Sequence, residues 1–115
     1  DLTTDKIDFS LMSYPFKESR SSEQCRSYHI EGTRGSGIFD SGGKTQRQYN
    51  LGEFAVLDHT VSDTAEPRYH LYAWVARDNY CVVLHFSKAN ATDDDKKRMT
   101  DITLKSKIVP AKIRN

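Results

Sequence analysis

Between Arg68 and Phe86 the chain reads as a β-hairpin, and the second strand of that hairpin carries one of the two cysteines in the 115-residue sequence. Tyr69 to Ala76 is aromatic and apolar, Arg77-Asp78-Asn79 supplies turn chemistry, and Tyr80 to Phe86 resumes a period of two. Tyr80, Val82, Leu84 and Phe86 share one face, while Cys81, Val83 and His85 share the other. On the first strand Tyr69, Leu71, Ala73 and Val75 are expected to face the core. That leaves His70, Tyr72 and Trp74 for a partner protein or for a covering helix.

The rest of the chain is predicted to build a sheet around this hairpin and then a helix. Ile7 to Phe16 mixes β-formers with apolar residues and reaches Tyr14-Pro15, which predicts an edge strand, because proline has no amide to donate. Lys17 to Ser22 is polar and reads as a loop or a frayed helical turn. Cys25 to Gly32 alternates, with Tyr28 and Ile30 marking the core side of a predicted strand. Thr33 to Gly43 is loop-like. Thr45 to Leu51 and Glu53 to Val61 are strands with a turn over Asn50 to Gly52, and Ser62 to Pro67 connects them to the hairpin. Thr92 opens a helix as its cap, Asp95 occupies the capping-box position, and three aspartates suit the positive end of the dipole. Met99, Ile102 and Thr103 form its apolar stripe, it ends near Lys105, and Ile108-Val109-Pro110 leaves it extended. The expected fold is α+β: an antiparallel sheet of about five or six strands with a C-terminal helix on one face. At this length, residues 1–115 form one domain able to bury about two thirds of the unfolded surface.

Two cysteines and four histidines are the candidates for chemistry. Cys25 with His29 and Cys81 with His85 repeat a Cys-x3-His spacing, which invites a Cys2His2 zinc reading. On strands, however, such a pair is separated by ~13 Å, so one ion could not hold all four. A Cys25–Cys81 disulfide needs only that the two segments be neighbours, and it is favoured over two free buried thiols and over a metal. It would close a loop worth ~4 kcal/mol in the chain-entropy model and points to an oxidising compartment. His29, His59, His70 and His85 are candidate general bases, with Asp58 and Asp40 nearby in sequence. Adjacent strand residues face opposite ways, so Asp58 cannot orient His59, and no nucleophile-elbow or metalloprotease motif accompanies them. Half-exposed strand histidines are the plainer expectation.

Gly42-Gly43-Lys44-Thr45 resembles the end of a phosphate-binding loop, but the first glycine of that motif would fall at Ile38 and no long helix follows, so a flexible loop is expected. Net charge is +1, which gives no global field for nucleic acid. Within 96–115, Lys96, Lys97, Arg98, Lys105, Lys107, Lys112 and Arg114 stand against Asp101 alone, enough for an anionic surface contact through Lys96, Lys97 and Arg98. A solvated helix face explains them equally well. Asn90-Ala91-Thr92 is a formal glycosylation sequon. No apolar run is long enough to span a membrane, no signal peptide opens the chain, and a start at Asp1 reads as a mature or trimmed form.

Phe9-Ser10-Leu11 with Tyr14-Pro15, the central antiparallel strands, and the run from Val82–Phe86 through the Asp-rich helix start to Leu104-Lys105-Ser106-Lys107-Ile108 together resemble the PsbP-like family of lumenal and bacterial extracytoplasmic proteins. The chain lacks the tryptophan often found soon after the Tyr-Pro pair, and the Gly-rich loop has no counterpart in that pattern. The resemblance implies a curved antiparallel sheet flanked by helices and an accessory or binding role, with no catalytic residues to carry over. The expected function is that of a non-catalytic periplasmic or secreted binding protein, or lipoprotein ectodomain, using Tyr72 and Trp74 for protein contacts, without metal or cofactor. The alternatives are a secreted inhibitor or immunity protein that inserts Gly35, Gly37, Phe39, Gly42 and Gly43 into a target enzyme, and a small hydrolase using His59 or His70.

Overall fold

The computed structural model describes residues 6–16, 21–33, 46–61 and 66–106. Five strands and two helices follow one another as β1 (Asp8–Pro15), α1 (Ser22–Gly32), β2 (Arg47–Leu51), β3 (Phe54–Val61), β4 (Arg68–Arg77), β5 (Tyr80–Ala89) and α2 (Asp93–Lys105). The strands form one antiparallel sheet in the order β1-β5-β4-β3-β2, so the chain enters at one edge, crosses to the other and meanders back. The α+β class and the edge position of β1 are as expected.

Turn chemistry sets the registers. Asp78 and Asn79 both adopt left-handed backbone, with φ of 49° and 66°, and close the two-residue turn that pairs Arg77 with Tyr80. This is the primed turn whose twist matches a hairpin, and Asn and Asp tolerate it best after glycine. Gly52, at φ +57°, opens the other two-residue turn, between Leu51 and Phe54. Each two-residue loop leaves the strands no freedom to slip, and a slip of one residue would turn every core side chain to the wrong face.

The sheet buries both faces. On one face Phe54, Val56, Tyr69, Leu71, Ala73, Val75, Val82, Leu84 and Phe86 pack beneath α2, which inserts Met99. On the other, Leu57, Tyr72, Trp74, Cys81 and Val83 pack with Cys25 from α1. Burial on both faces explains why β3, β4 and β5 are apolar almost throughout. The α2 terminus forms as the sequence predicts: the Thr92 hydroxyl accepts from the Asp95 amide, and the Asp95 carboxylate accepts from the Thr92 amide at 2.9 Å. Asp95 also meets Lys88 at 3.0 Å, which ties the start of α2 to the end of β5.

One predicted element is corrected: Cys25 to Gly32 is helix α1, not a strand. Ser21 caps it by accepting from the Gln24 amide at 3.1 Å, and Glu23 lies in its first turn. Of the two residues expected to mark the core side, Ile30 packs partly buried against the core beside Trp74 while Tyr28 is 49% exposed, and Cys25 is the residue the helix buries fully. The cysteine pairing survives the change. Cys25 and Cys81 are joined by a disulfide with Cα atoms 5.7 Å apart, so the staple ties a helix to the central hairpin rather than strand to strand.

Candidate functional site

Trp74 is fully buried and Tyr72 nearly so. Of the two roles open to Trp74, it takes the covering-helix one: its indole Nε1 donates to His29 Nδ1 of α1 at 3.0 Å, and the rings meet edge-on. Tyr72 stacks on Trp74 and, at 4.1 Å between centroids, on His85. A contact surface at these two residues would require α1 to leave the sheet. Gly35, Gly37, Phe39, Gly42 and Gly43, with Lys44, Thr45 and Asp40, lie outside the described residues, as do Ile108 to Pro110 and the last three cations, Lys107, Lys112 and Arg114.

Three histidines meet on the α1 side of the sheet. His59 of β3 stands directly opposite His70 of β4, and His85 of β5 lies two residue pairs further along, opposite Tyr72. His70 Nδ1 and His85 Nε2 share a hydrogen bond of 2.9 Å, and the His59 ring lies 5.5 Å from that of His70. His59 is 1% exposed, and among the described residues neither of its ring nitrogens has a hydrogen-bond partner. It is therefore a core histidine rather than a half-exposed one. Burial, followed by the neighbouring His85, His59 and Arg68, holds His70 down at about 4; burial, then His59 and Arg68, does the same for His85. Burial lowers His59 and His29 as well. All four rings are thus neutral at pH 7, the form that accepts hydrogen bonds and ligates metals. The Cys2His2 alternative is closed, since both sulfurs are in the disulfide and His29 Nδ1 holds the Trp74 proton. Among the described residues no group of three His, Cys, Asp or Glu side chains is arranged to hold a metal ion.

Asp58 points to the opposite face from His59, as period-two geometry requires. Its buried carboxylate accepts from Arg47 Nε and Nη2 at 3.1 and 2.7 Å, from Tyr49 at 3.1 Å and from Tyr69 at 2.6 Å. Burial, with the nearby Asp58 charge, pushes Tyr49 up to about 12, and it raises Tyr69 further. With both oxygens engaged this carboxylate is a structural anchor for edge strand β2, a role the sequence pattern of Asp58 beside His59 does not disclose.

The two sheet edges differ. β2 is five residues long and opens on Arg47. It is gripped by α1, where Arg26 Nη1 donates to the Tyr49 carbonyl and Asn50 donates to Glu23, each at 3.1 Å. Such short, charged, covered strands are how sheets avoid unwanted pairing. β1 is eight residues long, carries Asp8 as its lone charge, and leaves Phe9, Leu11 and Met12 54, 59 and 50% exposed. The side chain of Asp8 is paired with Arg68. Beside β1, a groove of about 430 Å³ lies between the strand and α2, lined by Lys6, Ile7, Phe9, Phe86, Arg98 and Ile102. A second groove of about 420 Å³ runs along α1 past Phe16 and Tyr28, with Glu23 and Glu31 on its rim.

Of the basic residues in α2, Lys96 lies 4.8 Å from the centre of the Tyr69 ring, Lys97 pairs with Asp101 at 3.2 Å, and Arg98 makes only a 3.7 Å approach to Asp95. Asn90 is exposed at the end of β5, and no helix of the described residues is long and apolar enough to cross a membrane. Fold and surface together define a disulfide-stapled α+β domain in which, among the described residues, one sheet edge is covered and the other open. Neither a protein-family model nor a curated protein matches the chain.

Proposed function

We propose that this is a non-catalytic accessory or binding protein of an oxidising, extracytoplasmic compartment, and that it recognises a protein partner through β1. The observation that carries this reading is the apolar edge of β1, unpaired among the described residues, set against an opposite edge that is short, charged and held by α1. An unpaired strand presents a row of amides and carbonyls, and recognition by strand addition uses that row for affinity and the flanking side chains for selection. Phe9, Leu11 and Met12 supply apolar contacts on both sides of such an added strand. The disulfide supports the compartment. The non-catalytic part is supported by the use of the candidate groups within the fold: His29 holds Trp74, His70 and His85 hold each other, and Asp58 holds Arg47 and two tyrosines. The PsbP-like resemblance, with its accessory role, agrees with this reading.

The test is site-specific photo-crosslinking from position 11 in the extracytoplasmic fraction of the source cells. One dominant adduct should form and should disappear in a Met12→Lys background, where a lysine blunts the edge while the melting temperature stays within about 2 °C. Absence of any adduct from positions 9, 11 and 12, or an adduct indifferent to the lysine, refutes recognition through β1.

A further inference from the structure

The geometry points to the groove between β1 and α2 as a binding site for a single-chain anionic amphiphile, a long-chain carboxylate being the simplest. Its floor is apolar: Phe86 is buried, Phe9 rests on it with ring centroids 5.0 Å apart, and Ile7 and Ile102 form the walls. Phe9 and Ile102 remain 54 and 46% exposed, so the groove offers apolar surface that the fold itself does not cover. At about 430 Å³ it falls within the size range of small-molecule sites, which are mostly apolar with a few polar groups that fix orientation.

The rim selects the charge. Among the described residues, Lys6 and Arg98 are the polar ones that line this groove, and both are cationic. The side chain of Arg98 is 63% exposed and meets Asp95 only at 3.7 Å. Asp95 is itself held by Lys88 at 3.0 Å and by the Thr92 amide at 2.9 Å, so its carboxylate is already neutralised by other partners. Asp8 of β1 is paired with Arg68, and Asp101 of α2 with Lys97. The groove along α1 has nearly the same volume but an acidic rim of Glu23 and Glu31, which would repel the same ligand. An acyl chain lying on Phe9, Phe86 and Ile102 would place its carboxylate within reach of the Arg98 guanidinium, which binds carboxylates in a two-pronged fork. This site goes beyond the partner reading and does not depend on it: both use Phe9, but the amphiphile is selected by Ile102 and Arg98 of α2, whereas the partner is bound by the backbone edge of β1.

The experiment is isothermal titration of the full chain with dodecanoate, dodecyltrimethylammonium and octanoate, and co-sedimentation with vesicles of anionic and of zwitterionic phospholipid. Dodecanoate is expected to bind one to one with Kd on the order of 10⁻⁵ to 10⁻⁴ M, octanoate at least tenfold more weakly, and the cationic chain not measurably. Arg98→Glu should weaken dodecanoate at least tenfold and admit dodecyltrimethylammonium, and Ile102→Ser should weaken dodecanoate and octanoate alike. Both positions are exposed, so unchanged melting curves will show that the variants fold. Equal binding of the two charge types, no effect of either variant, no binding of dodecanoate, or binding to anionic vesicles alone would each overturn the assignment.

Discussion

Acid should destabilise this fold through two histidines in particular. His70 and His85 hold one another by a single hydrogen bond, in which one ring nitrogen must donate and the other accept. When both rings are charged every nitrogen is a donor, so the bond is lost and two cations face each other beside Arg68 and beneath His59. In the folded chain both titrate at about 4, against 6.5 for a free imidazole. Between those values the unfolded chain holds protons that the folded chain does not, so stability falls as pH drops from about 6.5 and the effect is complete near pH 4. A gap of about 2.5 pH units at ~1.4 kcal/mol each is ~3.4 kcal/mol per ring. Halving this for the solvent that still reaches both rings leaves about 3 kcal/mol for the pair. Urea unfolding at pH 7.5, 6.0 and 4.5 measures it, with a His70→Gln/His85→Gln variant as the control, because two amides can keep a neutral hydrogen bond and do not titrate. The wild type should lose about 3 kcal/mol more than the variant between pH 7.5 and 4.5. Equal losses in the two proteins would refute the assignment of this dependence to the pair, and a wild type that gains stability in acid would reverse its sign.

Four further outcomes follow from the packing of the sheet. Replacing Cys25 and Cys81 by serine opens a link between residues 56 apart in sequence and should cost ~4 kcal/mol in denaturant unfolding, whereas a loss under ~1 kcal/mol would show that α1 docks without the staple. Asp58→Ala strands the Tyr69 hydroxyl in the core and should cost about 3 kcal/mol. Arg47→Ala should cost about 1 kcal/mol, since the arginine side chain is 67% exposed and Asp58 keeps both tyrosines; the opposite order of these losses in thermal melts would contradict the anchor role. Trp74→Ala should cost about 3–5 kcal/mol and raise hydrogen exchange along α1, while a protein that stays equally stable would return Trp74 to the surface role.

What the sequence determined is whatever depends on near neighbours in the chain. Period-two alternation assigned the faces of β4 and β5, Asp78-Asn79 closed the hairpin because those residues accept left-handed backbone, and Thr92 with Asp95 began α2 through bonds that span three residues. The Cys25–Cys81 pairing was also legible, because two cysteines allow one connection. Tertiary structure decided the identity of α1. Its segment buries a single residue, so neither period is strongly written in it; the Ser21 cap is its one clear local signal, and the contacts that dock it over Trp74 come from the fold. Tertiary structure also decided that His59, His70 and His85 meet, that Asp58 gathers Arg47, Tyr49 and Tyr69, and that β1 and α2 leave a cation-rimmed groove between them. Each of these joins residues from different elements. Local preference sets which way a side chain points, whereas strand order, register and helix docking set what it meets, and those are fixed by packing of the whole sheet.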